Sequence, residues 1–310
     1  MTVFLSTLNQ TAFLFSFIAI GFFFAKSKQI PENSATVLSK LENLLFIPAL
    51  VGGTFIKDFT VERLSSMWKL LLVSSLILVV VVPLVLLIVK ILSKDKYIRN
   101  IYTYGLCFSN FGFMGNAVVN ALFPEIFTEY IVFTLPLWML IYLWGVPSLL
   151  MSDSQEKQTL GKKLKNFLNP MFIAMIIGMI IGLTKLQLPA WLSSLINVSG
   201  SCMSPVAMLL TGITVATISF KKTFTNIGIY AVSIIRLLAL PLLFVAIAKF
   251  IPMDRTSYIC AVCSLSMPLG LNTIVIPAAF GKDTSVPAGM ALISHFLSCV
   301  TIPLIFMIIG

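Results

Sequence analysis

The chain is written twice. Its proline and glycine landmarks recur in order: Gly21 returns as Gly178, Pro31 as Pro189, Pro48 as Pro205, Pro83 as Pro241 and Pro147 as Pro303. The stretch Ala121-Leu122-Phe123 returns as Ala278-Ala279-Phe280. The offset stays between 156 and 158 residues throughout, so the two halves differ by almost no insertion. A chain of this kind is expected to fold as two copies of one unit, and the question becomes how the copies face each other.

Composition answers part of that. Hydrophobic residues make up 58% of the 310 and charged residues 10%, where a soluble domain carries about 25% charged. The apolar runs are of spanning length, roughly 20 residues each. Ten are expected: 4–25, 34–56, 67–91, 101–123, 127–150, 169–184, 192–218, 226–250, 256–280 and 285–309. The reading is an all-α membrane protein of ten transmembrane helices. Residues 1–151 form the first five-helix repeat, 152–168 a cytoplasmic linker and 169–310 the second repeat. Five is odd, so the second repeat starts on the opposite side of the bilayer and sits upside down. Inverted repeats of this kind are typical of secondary transporters. The first run has no basic segment before it, carries Asn9 and Gln10 and continues apolar to Ala25, so it is expected to remain as a span rather than be cleaved.

Net charge is +10, and its placement follows topology. With the N-terminus outside, the inward loops hold Lys26, Lys28, Lys90, Lys94, Lys96, Arg99, Lys157, Lys162, Lys163, Lys165, Lys221, Lys222 and Lys282. The outward loops hold Lys57, Arg63, Lys69, Lys185, Lys249 and Arg255. Thirteen against six places both termini outside a plasma membrane and the 152–168 linker in the cytoplasm. The basic residues are topology signals, not a nucleic-acid surface. The linker is too short for a domain, so the work is expected to be done within the bilayer, the chain's main partner.

Polarity inside the membrane concentrates in the fourth and ninth spans. The fourth reads Ser109-Asn110-Phe111-Gly112-Phe113-Met114-Gly115-Asn116-Ala117-Val118-Val119-Asn120. The ninth runs from Ser264 through Pro268, Gly270, Asn272 and Thr273 to Pro277. Proline removes a backbone donor and crowds the preceding turn, so the ninth span is expected to break. Broken backbone at membrane depth survives only where it is buried in protein or lines a watery cavity. Glycines and amides at equivalent places in both halves can also mean two close-packed, kinked helices. Matched interruptions point instead to a transport site.

These residues carry a resemblance. The elements Asn110-Phe-Gly-Phe-Met-Gly115 and Leu45-Phe-Ile-Pro-Ala49, the start Asn169-Pro170 with Gly178 and Gly182 after it, and the Pro268/Pro277 span resemble the auxin efflux carrier family over essentially the whole chain. That family includes plant auxin exporters and bacterial permeases for small organic acids. The resemblance implies two inverted five-helix repeats with interrupted, crossing helices 4 and 9. It also implies a scaffold of helices 1, 2, 6 and 7, and an elevator-like moving body made of helices 3–5 and 8–10. The fold is similar to that of sodium-coupled bile acid transporters. A homodimer through the scaffold helices is a further expectation. One departure stands out: family members often have proline where this chain has Asn116-Ala117, so the fourth span should break less sharply or rely on Gly112 and Gly115.

The chemistry fits a small organic acid anion. A half-helix N-terminus offers free N–H groups and partial positive charge to a carboxylate. Candidate substrate-binding residues are Asn110, Gly115, Asn116, Asn120, Pro268, Asn272, Thr273 and Pro277. Amides can donate hydrogen bonds without the desolvation cost of a buried cation. Three ionisable residues are candidates for anion contact or coupling. Arg236, deep in the eighth span, is expected either to grip the anion or to pair with Glu42 in the second. Lys40, two residues from Glu42 and on another face, is expected to snorkel to the cytoplasm. His295, flanked by Ser294 and Ser298, is either a packed, hydrogen-bonded side chain or a proton-coupling group. No cofactor is expected; H+, Na+ and membrane potential alone all stay open as driving forces. Cys260-x-x-Cys263 has no second pair or nearby histidine and is read as small apolar helix residues. The other function classes are a non-transporting receptor with the same pocket and an intramembrane enzyme. The enzyme would need a nucleophile–base pair or metal ligands, and the chain holds one histidine and no His-Glu-x-x-His.

Overall fold

The computed structural model describes residues 2–151, 170–216, 226–279 and 282–307. The 152–168 linker, Asn169, Lys221 and Lys222 lie outside the described residues. Among the described residues the chain is helical throughout, with no strand beyond one isolated bridge between Ser109 and Leu269. We number twelve helices: α1 Thr2–Lys26, α2 Ser34–Asp58, α3 Val61–Leu92, α4 Lys96–Cys107, α5 Phe111–Leu122 and α6 Pro124–Leu150. The second half continues with α7 Pro170–Thr184, α8 Ala190–Ala216, α9 Ile227–Ala248, α10 Arg255–Ser266, α11 Asn272–Ala279 and α12 Ser285–Phe306. Six of these, α2, α6, α8, α9, α12 and the Met67–Leu92 part of α3, are long and apolar enough to cross a bilayer. The expected fourth and ninth runs are each split, into α4 with α5 and into α10 with α11. The third run was expected to begin at 67, and its helix begins at Val61.

Proline shapes these helices locally. A proline ring crowds the carbonyl four residues before it, and widening that turn to a π-helix relieves the clash. The π segments Glu42–Phe46, Ile141–Leu150 and Ile235–Ala239 contain the carbonyls of Leu44, Leu143 and Leu237, four before Pro48, Pro147 and Pro241. The device is not symmetric. Pro205, the repeat mate of Pro48, lies inside the α-helical α8 with no π segment. A fourth π segment, Phe111–Gly115, has no proline and carries glycines instead.

Glycine sets how the spans meet. α1 packs along α8, and α2 along α7 and α8. A Cβ at Gly178 would lie 2.6 Å from the Gly52 carbonyl oxygen, and one at Gly21 or Gly212 would strike the backbone of Leu209 or Ile18. Without side chains there, the backbones approach closely enough for continuous dispersion contact, which drives helix association in lipid. The remaining helices pack around the two interruptions: α3 on α6 and α4, and α12 on α9 and α10. The outer face of α3 leaves Leu72, Leu76, Val79, Val80, Leu87 and Ile91 exposed, as a lipid-facing surface requires.

Candidate functional site at the crossing of two interrupted spans

α4 ends at Cys107 and α5 starts at Phe111; α10 ends at Ser266 and α11 starts at Asn272. Between them both chains run extended, Phe108 at φ −122°, ψ 104° and Met267 at φ −70°, ψ 147°. They cross as a short antiparallel bridge in which the Asn110 N–H donates to the Pro268 carbonyl at 2.7 Å. Gly270 eases this approach, since a Cβ there would lie 3.3 Å from the carbonyl oxygens of Phe108 and Ser109, a contact that only a small backbone shift would relieve. The fourth span therefore breaks fully without proline. In the ninth, Pro268 marks the break, whereas Pro277 sits inside α11 and does not interrupt it.

The interruption exposes four helix ends, and the protein treats them by charge. Arg236, 1% exposed, donates from Nη1 to the Leu106 carbonyl at 2.8 Å, from Nη2 to Ser264 at 2.9 Å and from Nε to Met267 at 3.3 Å. Those carbonyls close α4 and α10. Each helix C-terminus carries about half a negative charge, so two of them roughly balance one guanidinium. The pair with Glu42, one of the two expectations for Arg236, is absent: Arg236 bonds to carbonyls, and neither carboxylate oxygen of Glu42 has a hydrogen-bond partner among the described residues. Three of the guanidinium's five N–H donors are thereby taken by main-chain carbonyls. Ser109 adds to the same end by donating from Oγ to the Ser264 carbonyl at 2.7 Å.

The opposite ends, the N-termini of α5 and α11, stay open. The N–H groups of Gly270 and Leu271 donate to nothing among the described residues. Around them lies a cavity of about 20 Å³ lined by Tyr104, Ser109, Asn110, Trp138, Gly270 and Asn272, with Phe111, Gly112, Phe113, Ile141 and Leu271. That volume holds about one water.

Two amides face this cavity with their orientation fixed. Asn272 donates from Nδ2 to the Tyr104 hydroxyl at 3.1 Å. Asn110 Nδ2 lies 3.1 Å from His295 Nε2, and His295 Nδ1 lies 2.7 Å from the Ala291 carbonyl. A carbonyl only accepts, so Nδ1 carries the hydrogen, and Nε2 of the neutral ring accepts from Asn110. His295 is packed and hydrogen-bonded, and it positions the Asn110 amide. Ser294 accepts from the Leu269 N–H at 3.2 Å and holds the other strand of the crossing.

The remaining candidates fall elsewhere. Pro268 contributes its carbonyl to the bridge, and Thr273 is buried with its hydroxyl on the Gly270 carbonyl at 2.8 Å. Gly115 packs against the Tyr130 hydroxyl, which itself donates to the Phe111 carbonyl at 3.2 Å. Asn116 is buried one turn past the cavity, Asn120 is exposed near the end of α5 and Pro277 is buried in α11. Lys40 is exposed, and Cys260 and Cys263 are free thiols buried in α10. Sequence reasoning missed Tyr104 and Trp138. Trp138 had a signal: the repeat offset of 157 maps it onto His295. The structure sets its ring edge-on to Phe111, centroids 5.0 Å apart, as His295 is set beside Asn110.

A family model described as Membrane transport protein, the auxin efflux carrier-like family, matches residues 6–306. The chain belongs to this membrane transport family. No curated protein matches it. Membership makes this a membrane transport protein of the auxin efflux carrier type. In this chain polar side chains, open helix ends and a small cavity coincide at the crossing.

Proposed function

We propose that the protein is a secondary carrier that moves a small organic acid anion by alternating access, with the anion held at the crossing. The observation that carries this reading is the sorting of helix ends. The two C-termini are neutralised by Arg236, leaving two N-termini with about half a positive charge each and nothing to balance them. One carboxylate balances that pair, and the amides of Asn110 and Asn272 are placed to donate to its oxygens. Aromatic Trp138, Phe111 and Tyr104 close the remainder of the pocket. At about 20 Å³ the cavity admits no organic acid, so binding requires the crossing to open, as a carrier that alternates between states must do.

Two-fold packing supports the inverted repeat. Gly21 of α1 lies on Leu209 of α8, and Gly178 of α7 lies on Gly52 of α2. Shifting each residue by 157 converts the first pair into the second. The packing of α1 on α8 and of α2 on α7 and α8 supports a scaffold of these four helices, against which α12 also rests through α1, with the other helices gathered about the crossing as a second body. That division suits rigid movement of the crossing against a scaffold. Uptake tests the reading. Vesicles containing purified protein and loaded with unlabelled lactate, malonate or succinate should accumulate the labelled acid by exchange. Binding without accumulation would make the protein a receptor.

A further inference from the structure

Glu42 carries a carboxyl group that neither the crossing nor packing explains. It is 0% exposed, and neither of its oxygens has a hydrogen-bond partner among the described residues. It opens the π segment of α2, which packs on α7 and α8. No cation faces it from either helix. α7 contains no ionisable residue and α8 only the thiol of Cys202. Within α2 itself, Lys40 is exposed two residues away on another face, and Lys57 and Asp58 lie at the far end. An unpaired carboxylate in such surroundings costs many kcal/mol, whereas the neutral acid costs little more than an unsatisfied hydroxyl. Bulk alone does not account for the residue, because its repeat mate at the 157 offset is the small, buried Ser199.

Position gives the group a role. α8 packs against the π segment that Glu42 opens and also against Phe111–Gly115 at the crossing. One helix therefore touches both places, so α8 links the crossing to the cover of Glu42.

We propose that Glu42 is the carrier's proton-coupling group, held as the neutral acid in this state and exchanging its proton with water when α8, which packs on both Glu42 and the crossing, shifts during the cycle. The inference rests on the carrier reading above and adds the coupling ion to it. The exchange is simple: a proton passes from a water-borne donor to a carboxylate oxygen on one side of the cycle and returns to water on the other.

Two arms test it. In the first, membranes holding the full chain are treated near neutral pH with dicyclohexylcarbodiimide, which modifies protonated carboxyls in apolar surroundings. Mass spectrometry should find the adduct on Glu42, sodium should not protect it, and Glu42→Gln should remove it. No adduct on Glu42 overturns the inference, and protection by sodium alone reassigns the site to that ion. In the second arm, vesicles carry labelled lactate, malonate or succinate with and without a pH gradient. Glu42→Gln mimics the neutral acid, so it should retain exchange but lose the gradient-driven component. Gradient-driven uptake that survives in Glu42→Gln overturns the proposal. So does loss of exchange in a Glu42→Gln protein that is still folded, which would make the residue structural. If wild-type protein exchanges none of these acids, the carrier reading fails for them, and the carbodiimide adduct alone then decides whether Glu42 holds a proton.

Discussion

At the residue scale, one arginine and two asparagines divide the work of the crossing. Arg236 balances two helix C-termini without a carboxylate, so its removal should be a stability defect independent of Glu42. Arg236→Gln leaves buried carbonyls without a charged donor and should cost at least about 3 kcal/mol. Adding Glu42→Gln should recover none of it; a double-mutant cycle in thermal unfolding should return a coupling energy near zero. A large coupling would restore the ion pair that the structure lacks. Asn272→Ala should weaken acid binding by roughly ten- to a hundredfold, the worth of about 1.5–3 kcal/mol for a hydrogen bond to a charged group. Asn120→Ala, exposed beyond the cavity, should leave binding unchanged, as titration of the same acid onto both variants would show. These roles were only half legible in the sequence. The type and depth of Arg236 flagged it as exceptional, but its partners are main-chain carbonyls 28 to 130 residues away, and carbonyls leave no sequence signature.

At the scale of elements, helix ends and glycine seams decide the fold. Gly178→Ala would press a methyl group onto the Gly52 carbonyl, backbone against backbone, and should destabilise the protein by about 1–3 kcal/mol. Gly53→Ala meets a single side-chain methyl, Cγ2 of Ile196, and no backbone, so it should be milder in the same melting experiment. The N-cap of α10 supplies a pH test outside the membrane. Partial burial works against ionisation of Asp254, but hydrogen bonds from the Ser257 N–H and hydroxyl outweigh it and hold the carboxyl below its ordinary value. A lowered value adds stability above the unfolded-state pKa of about 4 and loses it as pH falls through the folded one. Asp254→Ala should therefore cost about 0.5–2 kcal/mol at neutral pH, with the difference from wild type shrinking in acid. Helices were the most legible elements, because long apolar runs admit little else in lipid. Break positions were less so. Pro268 interrupts its span while Pro83 and Pro277 do not, because a break persists only where another chain supplies the lost hydrogen bonds, as Asn110 and Ser294 do here.

At the scale of the whole molecule, the duplication read from the prolines implies an antiparallel pair of repeats, and the basic loops give it a direction. A cysteine at Ser154 should react only from the cytoplasmic side and one at Glu125, exposed in the first turn of α6, only from outside. Reaction of both from one side would remove the odd number of spans and the inversion with it. The duplication was visible because prolines and glycines mark backbone geometry that both copies share. The small cavity was not, since its walls of Tyr104, Trp138 and Leu271 are ordinary apolar residues until the crossing gathers them. The central claim is that a single site at this crossing is reached in turn from both sides. Leu271→Cys, in a chain otherwise freed of its five cysteines, places a thiol in the cavity wall. A membrane-impermeant thiol reagent applied to right-side-out and to inverted vesicles should modify it from either side, and the transported acid should slow both reactions. Modification from one side only, or rates indifferent to every acid tested, would contradict alternating access at the crossing.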